Sequence, residues 1–103
     1  MTRKITQRAT TAFFAGKNYT ENNTAVNVYM GGLVELSLHG NIIAFYNKHG
    51  DHTIQFNLCG WNTLTTRERL AGLGIKITVK KGIPYYNGQP IESRKVYRSD
   101  IIA

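Results

Sequence analysis

The residues best placed to do chemistry in this 103-residue chain are its cations. The thiol, imidazoles and carboxylates offer less. His49 and His52 stand three apart with Asp51 between them, and Cys59 follows. On a strand–turn–strand segment that is not the ligand spacing of a zinc site, so no metal is expected. Nothing near Cys59 in the sequence would hold its thiolate, which leaves thiol catalysis without support. The six acids, Glu21, Glu35, Asp51, Glu68, Glu92 and Asp100, are scattered, and no two are spaced as an acid–base pair. Gly31-Gly32 falls between two strands rather than between a strand and a helix, so it is no phosphate-cradling loop. Neither an enzyme nor a cofactor is expected.

The cations are more informative. Thirteen Lys and Arg against six acids give a net charge of +7, with a pI of about 9.8. Residues 1–20 carry Arg3, Lys4, Arg8 and Lys17 and no acid. Residues 76–103 carry Lys76, Lys80, Lys81, Arg94, Lys95 and Arg98 against Glu92 and Asp100, and the middle is close to neutral. This layout suits a polyanionic partner, with solubility as the plainer reading. The candidate contacts are Arg67, Arg69, Lys76, Lys80, Lys81, Arg94, Lys95 and Arg98. Lys80-Lys81-Gly82 stands at a hairpin tip, where two ammonium groups can approach phosphates or simply protect a sheet edge.

Several elements must position these groups. Ile5, Ala9, Ala12 and Phe13 make one apolar stripe, which predicts a helix over residues 3–15 ended by Gly16. Lys17 to Asn23 reads as a polar loop. A four-stranded antiparallel meander follows. A three-residue loop, Gly31-Gly32-Leu33, sets Met30 opposite Val34, Val28 opposite Leu36 and Val26 opposite Leu38. A Gly40-Asn41 turn puts Ile43 and Phe45 beside Leu38 and Leu36. Ile54 and Phe56 then come beside Phe45 and Ile43. The opposite face would show Tyr29, Ile42 and Tyr46 among polar residues. Tyrosines there can stack bases or simply suit a half-buried strand.

Thr65 as N-cap with Glu68 as its capping-box partner predicts a short helix over residues 66–73, closed by Gly74. Trp61 just before it reads as a core residue. A C-terminal hairpin follows, with Val79 paired to Ile83 and Ile77 to Tyr85 around a three-residue turn. Asn87-Gly88 starts a further short segment. Pro84 and Pro90 suit sheet edges. The expected fold class is α+β: a single domain over residues 1–92 and a basic tail over 93–103 that either docks or stays mobile. No stretch is long and apolar enough to span a membrane. The basic N-terminus lacks the apolar run of a signal peptide, and one cysteine suits a reducing cytoplasm.

Three stretches together carry a resemblance. They are Leu38-His39-Gly40-Asn41-Ile42-Ile43-Ala44, the run Gly60-Trp61-Asn62-Thr63-Leu64-Thr65-Thr66-Arg67-Glu68-Arg69-Leu70, and Lys80-Lys81-Gly82-Ile83-Pro84-Tyr85-Tyr86-Asn87-Gly88. Over about residues 4–90 the chain resembles a family of short bacteriophage proteins described only as a domain of unknown function. The family pattern has a larger aromatic or polar residue where Pro84 stands. The resemblance implies a phage-encoded protein acting in the cytoplasm of a host bacterium, and it brings no catalytic residues. Three functions fit a basic patch in that setting. They are nucleic-acid binding (DNA or RNA), inhibition of a host enzyme or antiviral defence complex through an acidic protein surface, and a role in the virion or its assembly. A homodimer formed through the hairpin edge or the Ile101-Ile102 tail is also open.

Overall fold

The computed structural model describes residues 4–50, 53–60 and 63–99. The fold is α+β. Helix α1 (Lys4–Ala15) is followed by strands β1 (Tyr19–Glu21), β2 (Thr24–Val28), β3 (Leu33–Leu38), β4 (Asn41–Asn47) and β5 (Gln55–Phe56). Helix α2 (Leu64–Gly72) precedes β6 (Ile77–Lys80), β7 (Ile83–Tyr86), β8 (Gln89–Pro90) and β9 (Tyr97–Arg98). One antiparallel sheet has the order β1-β2-β3-β4-β5-β9, and a three-stranded ribbon has the order β6-β7-β8. The two helices and the ribbon pack on the same face of the large sheet, where Val26, Val34, Leu36, Phe56, Leu70, Ile75 and Tyr86 join one core. Trp61, expected in that core, lies outside the described residues, as do Asp51, His52, Ile101 and Ile102.

Short local rules build the hairpins. His39-Gly40, Lys81-Gly82 and Asn87-Gly88 each hold two successive residues at positive φ. That is the type I′ geometry whose twist matches antiparallel strands. Asn87-Gly88 is the turn the sequence predicts. The other two correct it. The turn after β3 is His39-Gly40 rather than Gly40-Asn41, and Leu38 pairs with Asn41. The ribbon turn is Lys81-Gly82, so Lys80 pairs with Ile83, Thr78 with Tyr85 and Ile77 with Tyr86. This one-residue slip exchanges the ribbon's faces. Tyr86 goes to the core and Tyr85 to the outside.

The β2–β3 loop is three residues long but lies one position earlier than predicted, at Met30-Gly31-Gly32. The Tyr29 N–H donates to Leu33 O and the Gly32 N–H to Tyr29 O. Val28 therefore faces Val34 and Val26 faces Leu36, which leaves Met30 fully exposed at the tip. Gly31 and Gly32 take φ of +90° and +93°, and a Cβ on Gly32 would sit 2.4 Å from the His49 ring. Only glycine permits both the loop and the ring's approach.

A bulge at Ile43 decides the next strand. Ser37 pairs with Ile42 but Leu36 with Ala44, so Ile43 is the extra residue. Beyond it the faces exchange. Ala44 and Tyr46 turn inward and Phe45 outward, the reverse of the prediction. Tyr46 is a core residue whose hydroxyl donates to Phe13 O at 2.7 Å, so it is no open-face stacking platform. Tyr29 stays half-exposed, with its hydroxyl bonded to Glu35, which raises its pKa.

The predicted polar loop at 17–23 contains an edge strand instead. Arg8 on α1 donates to both Glu21 oxygens, Nε–H to Oε1 at 2.9 Å and Nη2–H to Oε2 at 2.6 Å. The Tyr19 hydroxyl bonds the same carboxylate. These contacts tie β1 to the helix. Residues 93–99 are docked rather than mobile. Tyr97 pairs with Phe56 and stacks on its ring, and the Ser99 N–H donates to Ile54 O at 2.7 Å. The Tyr86 hydroxyl donates to Ser99 O at 2.7 Å. Pro84 is not at an edge, since β7 is the ribbon's middle strand. It is accommodated because β8 ends at Pro90, and Pro84 O still accepts from Ile91 N–H at 2.9 Å.

Candidate nucleic-acid interface

The predicted contact residues fall into three structural settings. The first is α2. Its N-cap is Thr63, not Thr65, and the Thr63 hydroxyl accepts from Thr66 N–H at 3.2 Å. Glu68 therefore lies too deep in the helix for a capping box. It turns instead toward Arg69 and Thr6, bonding both. Arg69 is 2% exposed. Its Nε–H donates to the Thr24 hydroxyl at 3.0 Å and its Nη1–H to the Thr6 hydroxyl at 2.8 Å. A buried guanidinium is tolerable only when its donors are used and its charge is met. Thr6, Thr24 and Glu68 do both, so Arg69 joins α1, α2 and β2 and is not a surface contact. Arg67, two residues earlier on the half-exposed side, is already engaged within the protein.

Close helix packing sets this junction. A Cβ on Gly72 would lie 2.5 Å from Thr6 Cγ2 and 2.7 Å from Thr10 Oγ1. The Thr10 hydroxyl is buried without a hydrogen-bond partner, alone in this among the described residues. That group contributes nothing to binding and costs free energy where it stands.

The second setting is the docked tail. The Arg94 guanidinium lies over Gly60, close enough that a Cβ there would be 3.0 Å from its central carbon. Lys95 Nζ stands 5.8 Å from the centre of the Tyr97 ring, a cation–π contact. Arg98 is exposed opposite Gln55 and is engaged within the protein. All three side chains are exposed, and residues 93–99 are held by backbone bonds and by Tyr97.

The third setting is the ribbon. Before and along β6, Lys76, Thr78 and Lys80 are exposed while Ile75 and Ile77 are buried, so the lysines share the outer face; Val79, on the inner side, is also exposed. Lys81 stands at the turn at φ +52°. Ile83 pairs with Lys80 and Tyr85 with Thr78, which sets both on that outer face. Ile83 is 47% exposed, and Tyr85 is half-buried beside Pro90 in register. No acid occurs between Ile75 and Ile91. No hydrogen bond, ion pair or ring contact within the described residues engages the side chains of Lys76, Lys80, Lys81 or Tyr85. Tyr85 is the residue that sequence reasoning missed. The signal was the Lys81-Gly82 dipeptide, which as a two-residue turn reverses the faces.

The remaining chemical candidates are occupied or incomplete. Cys59 donates to Ile42 O at 3.0 Å, and burial pushes its thiol up, away from the reactive thiolate. Among the described residues no three His, Cys, Asp or Glu side chains gather as a metal site. A cleft of about 490 Å³ lies between the β3–β4 turn and the start of α2, lined by Leu38, His39, Asn41, Ile43, Leu58, Thr63, Thr65 and Thr66. It holds none of the predicted cations. Among the described residues no helix is long and apolar enough to cross a membrane.

No curated protein and no solved structure matches the chain. A protein family does. The family described as Kyanoviridae Gp96 protein matches residues 2–101, the docked tail included. On a match of that length, the chain belongs to the Kyanoviridae Gp96 protein family, a family of phage proteins.

Proposed function

We propose that this phage protein binds nucleic acid through the outer face of the β6–β8 ribbon. The observation that carries the reading is the set of Lys76, just before β6, and Lys80 and Lys81 in the β6–β7 hairpin, exposed and unengaged in a stretch that has no acid. Ammonium groups held in this way displace counterions from phosphates without first breaking an internal contact. The role is that of a non-enzymatic accessory protein in an infected cell. The buried Arg69 supports the scaffold and not the contact.

The test is a titration of labelled single-stranded DNA, RNA and duplex at two salt concentrations, with Lys80→Ala/Lys81→Ala beside wild type. Binding that weakens with salt, and weakens further in the double variant, is the expected result. Absence of binding at low salt would overturn the reading.

A second reading has one specific observation in its favour. Met30 is fully exposed at the tip of the Gly31-Gly32 loop, and Phe14 is half-exposed on α1. A flexible thioether at a loop tip suits a protein pocket. On this reading the target is a host protein, such as an enzyme or defence complex. Met30→Ser would then abolish co-purification of one host protein after nuclease treatment, whereas an unchanged pull-down would reject it.

A further inference from the structure

We infer that the ribbon takes single-stranded nucleic acid, with one base stacked on Tyr85 between phosphates held by Lys76 and Lys80. This rests on the nucleic-acid reading above and narrows it. The register places Tyr85 beside Thr78 on the outer face, with Lys80 at the end of β6 and Lys76 just before its start. Those lysines are four positions apart, roughly 13 Å at the rise of an extended chain. Beside the ring, Ile83 is half-exposed opposite Lys80. The surface is thus an apolar, partly aromatic strip with a cation near each end.

That composition fits a strand whose bases are unpaired. A duplex presents phosphates and base edges, and it buries the flat faces of its bases within its own stack. Against a duplex, Tyr85 and Ile83 would gain little and only the lysines would contribute. An unpaired base offers its face to the ring, and such stacking tolerates any base because every base has one. Tyr85 also has no hydrogen bond or ring contact to break first among the described residues, and it is half-buried beside Pro90. The inward tyrosine, by contrast, packs edge-on to Phe56 at 4.9 Å and is bonded to Ser99.

The experiment is fluorescence anisotropy with labelled oligothymidine, oligouridine and a duplex of equal length. It uses the full chain as wild type, Tyr85→Ala, Tyr85→Phe and Lys80→Ala/Lys81→Ala. The expected result is preference for the single strands. Tyr85→Ala loses roughly fivefold to a hundredfold in single-strand affinity and leaves duplex affinity unchanged. Tyr85→Phe keeps the affinity, because it keeps the ring. An unchanged circular dichroism spectrum shows that the variants fold, and Tyr85→Leu serves if Tyr85→Ala does not. Equal affinity for duplex and single strand, lost with the lysines but indifferent to Tyr85, would overturn this inference and leave the wider reading standing. No binding to any of the three at low salt would overturn both.

Discussion

Arg69 and Lys80 carry the same charge only eleven positions apart, and the fold uses them in opposite ways. Arg69 is enclosed by Thr6, Thr24 and Glu68 where two helices meet a strand. Lys80 stands in solvent on the ribbon with no partner among the described residues. Net charge counts both equally. Only the first is part of the scaffold, and only the second is available to an external anion. The difference follows from geometry. Arginine's planar fork can satisfy several acceptors at once in a confined space. Lysine's ammonium is strongly hydrated and suits an exposed strand or turn.

The largest effect is expected at the buried partner. Arg69→Ala leaves Glu68 and two threonine hydroxyls without their common donor. It should cost about 3–5 kcal/mol in urea denaturation. A loss below about 1 kcal/mol would mean that Arg69 is not a structural junction. Gly72→Ala comes next. Its new methyl meets Thr6 and Thr10 at distances that real Cβ atoms do not show. Overpacking of about 1–3 kcal/mol should exceed the gain of about 1 kcal/mol in helix propensity. A raised melting temperature would contradict this.

Lys80→Ala/Lys81→Ala should change stability by no more than about 0.5 kcal/mol. It should also lower the salt slope of nucleic-acid binding by about 2. A destabilised double variant would erase the contrast with Arg69. The smallest effect belongs to the exposed pair. Hydrogen bonds from Arg8, then from Tyr19, hold the Glu21 carboxyl at about 2 instead of 4.5. A folded-state value below the unfolded one stabilises fully above the unfolded value. That contribution is lost as pH falls from 4.5 toward 2. Glu21→Gln should flatten the stability–pH curve in that window, slightly and less so in high salt. Parallel curves for the two proteins would show the pair to be without effect.

Much of the fold was legible because periodicity is local. Of the α1 stripe, Ala9, Ala12 and Phe13 are buried as expected and Ile5 is only half-buried, while Thr6 is buried where Arg69 reaches it from another element. The class and the alternation of β2 and β3 were equally readable. What escaped depended on distant partners. Glu68 is three residues from Thr65 and could have closed a capping box, but Arg69 and Thr6 compete for its carboxylate. The Ile43 bulge has no single-residue signature, yet it decides whether Phe45 or Tyr46 enters the core. In the candidate interface, the lysines could be read directly. Tyr85 could not, because its side of the ribbon turns on whether Lys80 belongs to the turn or to the strand.

The docking of residues 97–99 has a kinetic side. The hairpins close between near neighbours, whereas Gln55 meets Arg98 across 43 positions of chain. Closing so long a loop carries an entropic cost that the short β-turns do not. The sixth strand should therefore join after the meander has formed, as a late step in folding. Interactions made late govern the lifetime of the native state more than the speed of reaching it. Stopped-flow traces should show Tyr97→Ala unfolding faster while its refolding rate stays near wild type. The Phe56–Tyr97 stack would thus act as a latch on the finished protein, and slowed refolding of the variant would place it in the nucleus instead.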